Sequence, residues 1–299
     1  MTTIGVAIIT NKALDLSDYC SSLGQFDEFS IGFTEHKYFW PCPGDSPFPI
    51  RTVEIPWTDS FSEARNKLLA HCTTDWMLWL DADEEIDPKE WGRSVRRRLA
   101  RDEHISAYRL DLKNIVPDSS RVMGLDPLPL PDGTFASYHR GAMLRLHRNL
   151  PGISWSYRVH ESLAPSLAMG GHACGEMRKT ITHRGEVDAA VLEAKHKYYL
   201  DLALADAQDN DDDPKAWFNV LTEAQASGFW AIAVHACERV WALQDISPIF
   251  TYEVAAIASY NLLRTEIACQ YARTILSSEP RNPIATMILD SSSALIGEK

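Results

Sequence analysis

The segment 75–86, which reads DWMLWLDADEEI, constrains the fold more than any other part of the chain. Residues 76–80 are all apolar or aromatic, and four carboxylates follow within the next five positions. An apolar run without polar alternation is typical of a strand that is buried on both faces. Adjacent carboxylates repel each other, so the cluster needs either water or a counter-charge. The pattern predicts a buried strand that ends at a solvated loop or at a ligand site.

Short apolar runs alternate with amphipathic segments throughout the first half of the chain. A helix is predicted from Asp59 to Cys72, because Asp59, Ser60 or Ser62 can cap it and its apolar residues recur at helical spacing. Buried strands separated by helices indicate a mainly parallel, Rossmann-like sheet that is covered on both faces. After residue 105 we expect less regular, partly antiparallel strands. The predicted strands are 4–10, 29–34, 51–57 and 76–80, and the runs 4–10 and 76–80 have the pattern of buried strands.

Strand patterns are absent from about residue 186 onward. Pro214, Pro248 and Pro280 recur at intervals of 34 and 32 residues, and each opens or precedes a helical pattern. A period near 34 residues is typical of tetratricopeptide (TPR) repeats, although only two repeats fit and the second is degenerate. We therefore predict an α/β domain at 1–184 followed by an all-α, TPR-like domain at 185–299.

The charge of the chain is uneven along its length. Residues 1–184 carry 21 Lys and Arg against 24 Asp and Glu, whereas residues 185–299 carry 8 against 17. An acidic second half is a poor surface for phosphate backbones, which disfavours a nucleic acid as the partner. The one basic run, RSVRRRLAR at 93–101, is interpreted as a solvated helix face.

The start of the chain does not resemble a targeting segment. It has no positive region followed by the apolar run of a signal peptide, and no apolar stretch reaches the roughly 18–20 residues that span a bilayer. The six cysteines are scattered without a CxxC pair, so neither a zinc site nor a disulfide framework is indicated. We expect a cytoplasmic protein without a membrane span.

The acidic cluster lies where an open parallel sheet binds ligands, just beyond the carboxyl end of a strand. The D-x-D spacing of Asp81 and Asp83 lets two carboxylates approach one hard cation such as Mg²⁺ or Mn²⁺. A cation would also supply the missing counter-charge. D-x-D alone is common by chance, and its position behind a buried strand makes it a moderate signal for a metal site.

Four motifs in order resemble those of family 2 glycosyltransferases with the GT-A fold, including members with a C-terminal TPR region. FSEARNKLL at 61–69 and WLDADEEI at 79–86 resemble the family's aRN helix and D-x-D-E strand end. LRLHRNLPGISWSYRVHESL at 144–163 is similar to the family's later VHE stretch, and TITHRG at 180–185 to its I-x-H-x-G strand. The resemblance covers most of the chain and implies a GT-A domain followed by TPR-like helices.

The resemblance also implies a role for each residue that matches the motifs. Asp81 would face the ribose of the nucleotide or the metal, and Asp83 would bind the Mn²⁺ or Mg²⁺ that bridges the donor's diphosphate. His183 would be a third metal ligand or a diphosphate contact. Arg65 would lie near the nucleotide or the pyrophosphate, where a planar cation suits phosphate oxygens. Glu161 would be the general base that deprotonates the acceptor.

The nucleotide base is the least defined part of the predicted site. Related enzymes carry an acidic segment after the second strand, and here that place reads IGFTEHKYFWPCPGD at 31–45. Glu35 is the candidate that remains, with Thr34 beside it. Arg148 is added as a donor contact, although Arg145 and Arg148 alternate with leucines as on a half-exposed strand.

Several neighbouring residues keep two interpretations. Glu161 is either the general base or an anchor for its strand through Arg158 or Arg148. His160 either orients Glu161 or packs in the core. Glu84 and Glu85 are expected in solvent or at the N-terminal side of a helix that starts near Pro88, and a role in the site is the alternative.

These features predict a metal-dependent glycosyltransferase that moves a sugar from a nucleotide-sugar donor to an acceptor hydroxyl or another nucleophile, with inversion implied by the family. An inactive GT-A/TPR binding module is one alternative, and it would show no donor-dependent metal binding. A nucleotidyltransferase is the other, but the segment TNKALDLSD at 10–18 lacks the glycine-rich loop such enzymes need. A protein, a glycan or a small molecule all suit the acceptor.

Overall fold

The computed structural model divides the chain into two compact units, Met1–Val187 and Asp188–Lys299. The segment at 31–45 that would bind the nucleotide base lies mostly outside the described residues, beyond Glu35. The residues that the structure describes are 2–12, 14–15, 24–35, 39–40, 49–116, 128–129, 135–184, 189–245 and 248–296.

The first unit is an α/β domain built on a nine-stranded sheet with the order β5-β3-β1-β6-β10-β8-β11-β7, in which β9 also pairs with β10. The elements in chain order are β1 (Ile4–Thr10), β2 (Leu14–Asp15), β3 (Glu28–Phe33), β4 (Phe39–Trp40), β5 (Ile50–Glu54), α1 (Phe61–Leu69), β6 (Trp76–Leu80), β7 (Glu84–Ile86), α2 (Arg93–Arg101), β8 (Ile105–Val116), β9 (Leu128–Pro129), β10 (Phe135–Arg148), α3 (Ala164–Met169) and β11 (Ala173–Arg184).

The sheet has a parallel half and a mixed half. Strands β5, β3, β1 and β6 run parallel to one another. Strand β10 is antiparallel to both β6 and β8, while β11 is parallel to β8 and antiparallel to β7. The predicted α/β class, with a parallel sheet followed by partly antiparallel strands, is confirmed.

Helices cover both faces of the sheet, as the apolar strands require. Every residue of β1, β3 and β6 is buried. Along β6, Leu78 packs into the core layer that also holds Leu99 of α2, whereas Trp79 packs into the layer that holds Leu68 of α1. This alternation buries both sides of one strand, so the segment carries no polar residue until it leaves the sheet at Asp81.

The second unit is helical in every element described. Consecutive helices pack against each other, and α5, α7 and α9 begin at intervals of 35 and 34 residues. The predicted all-α, TPR-like character of this region is confirmed. Within the described ranges, none of the helices has the length and hydropathy that crossing a membrane requires. The helices are α4 (Ala189–Asp209), α5 (Pro214–Ala226), α6 (Trp230–Leu243), α7 (Ile249–Asn261), α8 (Thr265–Ser278) and α9 (Pro283–Ile296).

Candidate active site

Asp81 leaves the carboxyl end of β6 and meets two arginines. Its Oδ1 accepts a hydrogen bond from Arg65 Nη2 at 2.7 Å, and its Oδ2 accepts one from Arg145 Nη2 at 2.7 Å. Both guanidinium groups are almost wholly buried, with 2% and 5% of the side chain exposed. The counter-charge that the acidic cluster requires is therefore supplied by arginine, and both carboxylate oxygens of Asp81 are occupied.

Arg145 reaches Asp81 because β10 contains a β-bulge. Leu144 pairs with Arg109 and Leu146 pairs with the adjacent Tyr108, so Arg145 is an extra residue in the register. Leu144 and Leu146 consequently pack into the core layers on opposite faces of the sheet. A bulge of this kind re-aims a side chain, and here the re-aimed side chain is the arginine that pairs with Asp81.

Burial and charge act in opposite directions on this pair. Burial alone would raise the pKa of Asp81, but the Arg145 and Arg65 guanidinium groups outweigh it and hold that pKa far below its usual range. Burial would lower the pKa of Arg145, yet Asp81 and Glu84 raise it above its usual range. The Asp81–Arg145 pair is therefore ionised at neutral pH.

Glu84 belongs to the same buried cluster, so the prediction that it lies in solvent is wrong. Its Oε1 accepts from Arg145 Nη2 at 3.1 Å and its Oε2 accepts from the backbone N–H of Asp81 at 2.8 Å. Strand β7 pairs with β11, and strand alternation buries Glu84 and Ile86 while Glu85 is exposed. Burial raises the pKa of Glu84 above its ordinary value.

Arg65 lies on the buried face of α1 and spans two carboxylates. Its Nε donates to Glu161 Oε1 at 2.6 Å, in addition to the bond from its Nη2 to Asp81. The guanidinium carbon is 5.2 Å from the ring centre of Trp79 and 4.9 Å from that of Trp155, which is cation–π distance. The sequence-predicted residues Arg65, Asp81 and Glu161 are thus in direct contact.

Glu161 is presented by a tight loop that α1 holds in place. Backbone hydrogen bonds of 2.9 and 3.0 Å between Ser156 and Ser162 close the loop. Tyr157 and His160 adopt φ values of 74° and 52°, which cost non-glycine residues roughly 1–3 kcal/mol each. Strain of this kind persists only where the surroundings impose it, and it is common at functional sites.

Helix α1 supplies the contacts that impose this loop. The amide of Asn66 donates to Trp155 O at 2.9 Å and accepts from Trp155 N at 2.8 Å, and the N–H of Phe61 donates to Arg158 O at 2.8 Å. The helix itself begins at Ser60, whose hydroxyl caps the N–H of Glu63. Two adjacent residues of α1 therefore hold the loop: Arg65 bonds the carboxylate of Glu161, and Asn66 bonds the backbone of Trp155.

Asp83 and His183 form a second, more exposed pair. His183 Nε2 lies 3.2 Å from Asp83 Oδ2, and His183 Nδ1 lies 3.1 Å from Asn114 Oδ1. The hydrogen bond with Asp83 raises the pKa of His183. Burial opposes ionisation of Asp83, but the interaction with His183 prevails and lowers the pKa of Asp83. Asn114 holds the far nitrogen of the ring, as hydrogen-bond partners of metal-binding histidines do.

The other two predicted donor contacts, Arg148 and Glu35, lie at opposite ends of the sheet. Arg148 pairs with Trp76 at the amino end of β6, stacks on its ring at 4.7 Å and donates to Ile105 O at 2.8 Å. It is therefore at the opposite end of the strand from Asp81, and the arginine that reaches the cluster is Arg145. Glu35 is exposed just after β3, at the same carboxyl edge as Asp81 but two strands away.

His147 holds Trp79, one of the two tryptophan rings against which Arg65 packs. Trp79 Nε1 donates to His147 Nε2 at 2.8 Å, and His147 Nδ1 lies 2.8 Å from Arg148 O, so the neutral ring satisfies both contacts. The side chain is fully buried, and burial lowers the pKa of His147 to about 4. Stability from this residue is therefore complete above about pH 6.5 and is lost as the pH falls towards 4.

We expect His147→Gln to flatten the acid side of the stability profile. Between pH 7 and pH 4.5 the wild-type protein should lose about 2 kcal/mol more unfolding free energy than the variant, because the unfolded state alone takes up the histidine proton readily. Denaturant titrations at both pH values measure the difference. Equal losses in the two proteins would show that His147 accepts a proton without unfolding.

The first unit, with an acidic pair at the carboxyl end of β6 and mixed strands beyond it, has a sheet of the GT-A type. Residues 42–156 match the model of glycosyl transferase family 2, so the first unit contains a domain of that family. The resemblance predicted from the four motifs is confirmed.

The chain is similar to a TPR repeat-containing protein in sequence, and to TarS and a TPR domain in comparisons of structure. A TPR repeat-containing protein of Synechococcus elongatus is 44% identical over 169 residues, which are 56% of this chain and 37% of the relative. The chain therefore spans little more than a third of that relative's length. A structure of Staphylococcus aureus TarS residues 1–349 in complex with UDP-GlcNAc aligns with 94% of this chain and 92% of that 1–349 chain, at 11% identity with a TM-score of 0.42. The first TPR domain of human RPAP3 covers 36% of the chain, at 92% of its own length and 23% identity, with a TM-score of 0.30.

Proposed function

We propose that the chain is a nucleotide-sugar-dependent glycosyltransferase with a catalytic domain at 1–184 and a TPR-like domain at 185–299. In this reaction a sugar moves from a nucleotide-sugar donor to an acceptor hydroxyl or another nucleophile. The observation that carries the proposal is the contact of Arg65 with both Asp81 and Glu161. It supports the proposal because the carboxylates proposed for the donor side and for the base then share one arginine, in a unit whose residues 42–156 match family 2.

The donor site would be built around Asp83 and His183, with Glu35 near the nucleotide base. The carboxylate of Asp83 suits Mn²⁺ or Mg²⁺, and the imidazole nitrogen of His183 lies 3.2 Å from it as a candidate second donor atom. No group of three or more His, Cys, Asp or Glu ligands occurs among the residues that the structure describes. When bound, the cation would neutralise charge on the leaving diphosphate. Because two arginines already compensate the charge of Asp81, we assign that residue to the hydroxyl groups of the nucleotide rather than to the cation.

Glu161 would act as the general base. Its carboxylate takes the proton of the acceptor hydroxyl while the acceptor oxygen bonds to the anomeric carbon. The bond from that carbon to the diphosphate oxygen breaks with its electron pair, and the nucleoside diphosphate departs. Attack opposite the leaving group inverts the anomeric configuration. Glu161 is 14% exposed, so it is shielded from water yet open on one side.

A panel of nucleotide sugars, with Mn²⁺, Mg²⁺ or chelator, tests the proposal. Without an acceptor, water attacks the donor, so the purified protein should release nucleoside diphosphate. Release should be preferential for one donor and should require a cation. Glu103→Gln is a matched control: the residue is exposed at the opposite end of the sheet and should leave release unchanged. If no donor is hydrolysed and none binds by calorimetry, the enzyme is not of this class. Binding without hydrolysis would instead support the inactive module.

A further inference from the structure

We propose that Arg65 is a positioning residue that couples the donor side of the site to the general base, instead of a ligand of the donor phosphates. The inference rests on the proposed function for the meaning of donor and base. Its structural basis is the placement of one guanidinium between Asp81 and Glu161, residues that are 80 positions apart in the chain.

The accessibility of Arg65 argues against direct phosphate binding. Only 2% of its side chain is exposed, and the guanidinium lies against both Trp79 and Trp155. An arginine that clamps a phosphate presents its N–H fork to the ligand. Arg65 instead directs Nε and Nη2 to two carboxylates, while its Nη1 is buried with no hydrogen-bond partner in the described part of the chain. Two of the three guanidinium nitrogens therefore face protein oxygen atoms.

The two carboxylates that Arg65 contacts, Asp81 and Glu161, differ in the other contacts that hold them. Asp81 is also held by Arg145 and would keep a cationic partner without Arg65. Within the described residues, the hydrogen bond that a cationic side chain donates to the carboxylate of Glu161 comes from Arg65. The loop that carries Glu161 is fixed through its backbone by Asn66 and Phe61, which set the position of the main chain but not the direction of the carboxylate. Loss of Arg65 should therefore act mainly on Glu161.

This geometry predicts a split between donor binding and turnover. Arg65→Lys keeps the charge but cannot span two carboxylates in a planar fork, so the orientation of Glu161 is lost. We expect the rate of donor hydrolysis to fall about 10–100-fold, as a misplaced catalytic group typically causes. The KM for the donor should change less than about threefold, because Asp81, Asp83 and His183 remain. Lys67→Met, on the exposed side of the same helix, is the matched control and should leave both constants unchanged.

A double-mutant cycle separates positioning from phosphate binding. If Arg65 acts through Glu161, then Arg65→Lys combined with Glu161→Gln should be no slower than Glu161→Gln alone. If Arg65 binds the donor, the two effects multiply and the donor KM of Arg65→Lys rises tenfold or more. Either of those results overturns the inference.

The same cycle keeps the inference separate from the proposed function. The coupling between Arg65 and Glu161 can also be measured in denaturant unfolding, with Arg65→Met added to remove the charge. Additive effects on stability would show that the ion pair is absent in solution and would overturn the inference even in an active enzyme. Coupled stability together with a wild-type protein that hydrolyses no donor would contradict the proposed function alone.

Discussion

Glu161→Gln is expected to lower turnover by about 10²–10⁴-fold, which is the usual contribution of a general base. The amide keeps the size of the side chain and can still accept the hydrogen bond from Arg65, but it cannot take the acceptor's proton. Donor and metal affinity should stay within about threefold of wild type. Single-turnover rates and calorimetric donor titrations measure the two quantities separately.

Stability cannot distinguish the catalytic role of Glu161 from an anchoring role. The carboxylate is bonded to a buried arginine in either case, so removing its charge should cost roughly 1–3 kcal/mol of unfolding free energy. The anchor that the sequence offered was Arg158 or Arg148, whereas the structure gives Arg65. A variant whose rate and donor affinity fall together would show that Glu161 only anchors its loop. Glu103→Gln serves again as the control.

Asp83→Asn is expected to abolish metal-dependent nucleotide binding and, with it, donor hydrolysis. The change removes one charge without changing shape, and it leaves His183 with a neutral neighbour. Mutation of a residue that only hydrogen-bonds a metal ligand typically lowers metal affinity by about 10–100-fold. Loss of Asp83, a proposed ligand itself, should therefore weaken Mn²⁺ binding at least about 100-fold. The Asp83 side chain is half exposed, so the fold should keep its stability to within about 1 kcal/mol.

The loss of the paramagnetic signal of free Mn²⁺ on titration with protein and nucleoside diphosphate gives a readout that does not depend on turnover. Glu85→Gln is the matched control, because Glu85 is an exposed carboxylate of the same acidic run. An unchanged Mn²⁺ affinity for Asp83→Asn, or full hydrolysis at saturating donor, would show that the cation is held elsewhere. His183→Ala should weaken Mn²⁺ binding in the same direction, since it removes the neighbouring donor atom.

The acidic residues 83–85 show what the local sequence pattern predicts and what it does not. Alternation predicts that neighbours on a strand point to opposite faces, but the sequence does not reveal that residues 84–86 form a strand at all. Their pairing with residues 181–183 of β11 decides it, and that pairing buries Glu84 against Arg145. The acidic run required a counter-charge, and the sequence suggested a metal cation for that role, whereas Arg65 and Arg145 pair with Asp81 in the structure.

The choice between Arg145 and Arg148 shows the same limit in another form. The two arginines are three positions apart, so strict alternation puts them on opposite faces of a strand but does not say which of them reaches Asp81. The bulge at Arg145 turns that side chain to Asp81, and the antiparallel register with β6 puts Arg148 at the far end of the strand. A bulge and a register belong to the pairing of two strands, and neither is encoded in the residues of one strand alone.

The sequence by itself determined the two kinds of architecture, the buried strand 76–80 and the position of Asp81 and Asp83 at its end. These follow from hydrophobic periodicity and helix signals, which act over a few residues. The tertiary structure decided which charges meet: Arg65 with Glu161 across 96 positions, and Arg145 with Asp81 across 64. Ion pairs between distant segments depend on strand order, register and burial. They arise only when the whole domain packs, because a charge leaves water only where its partner is already in place.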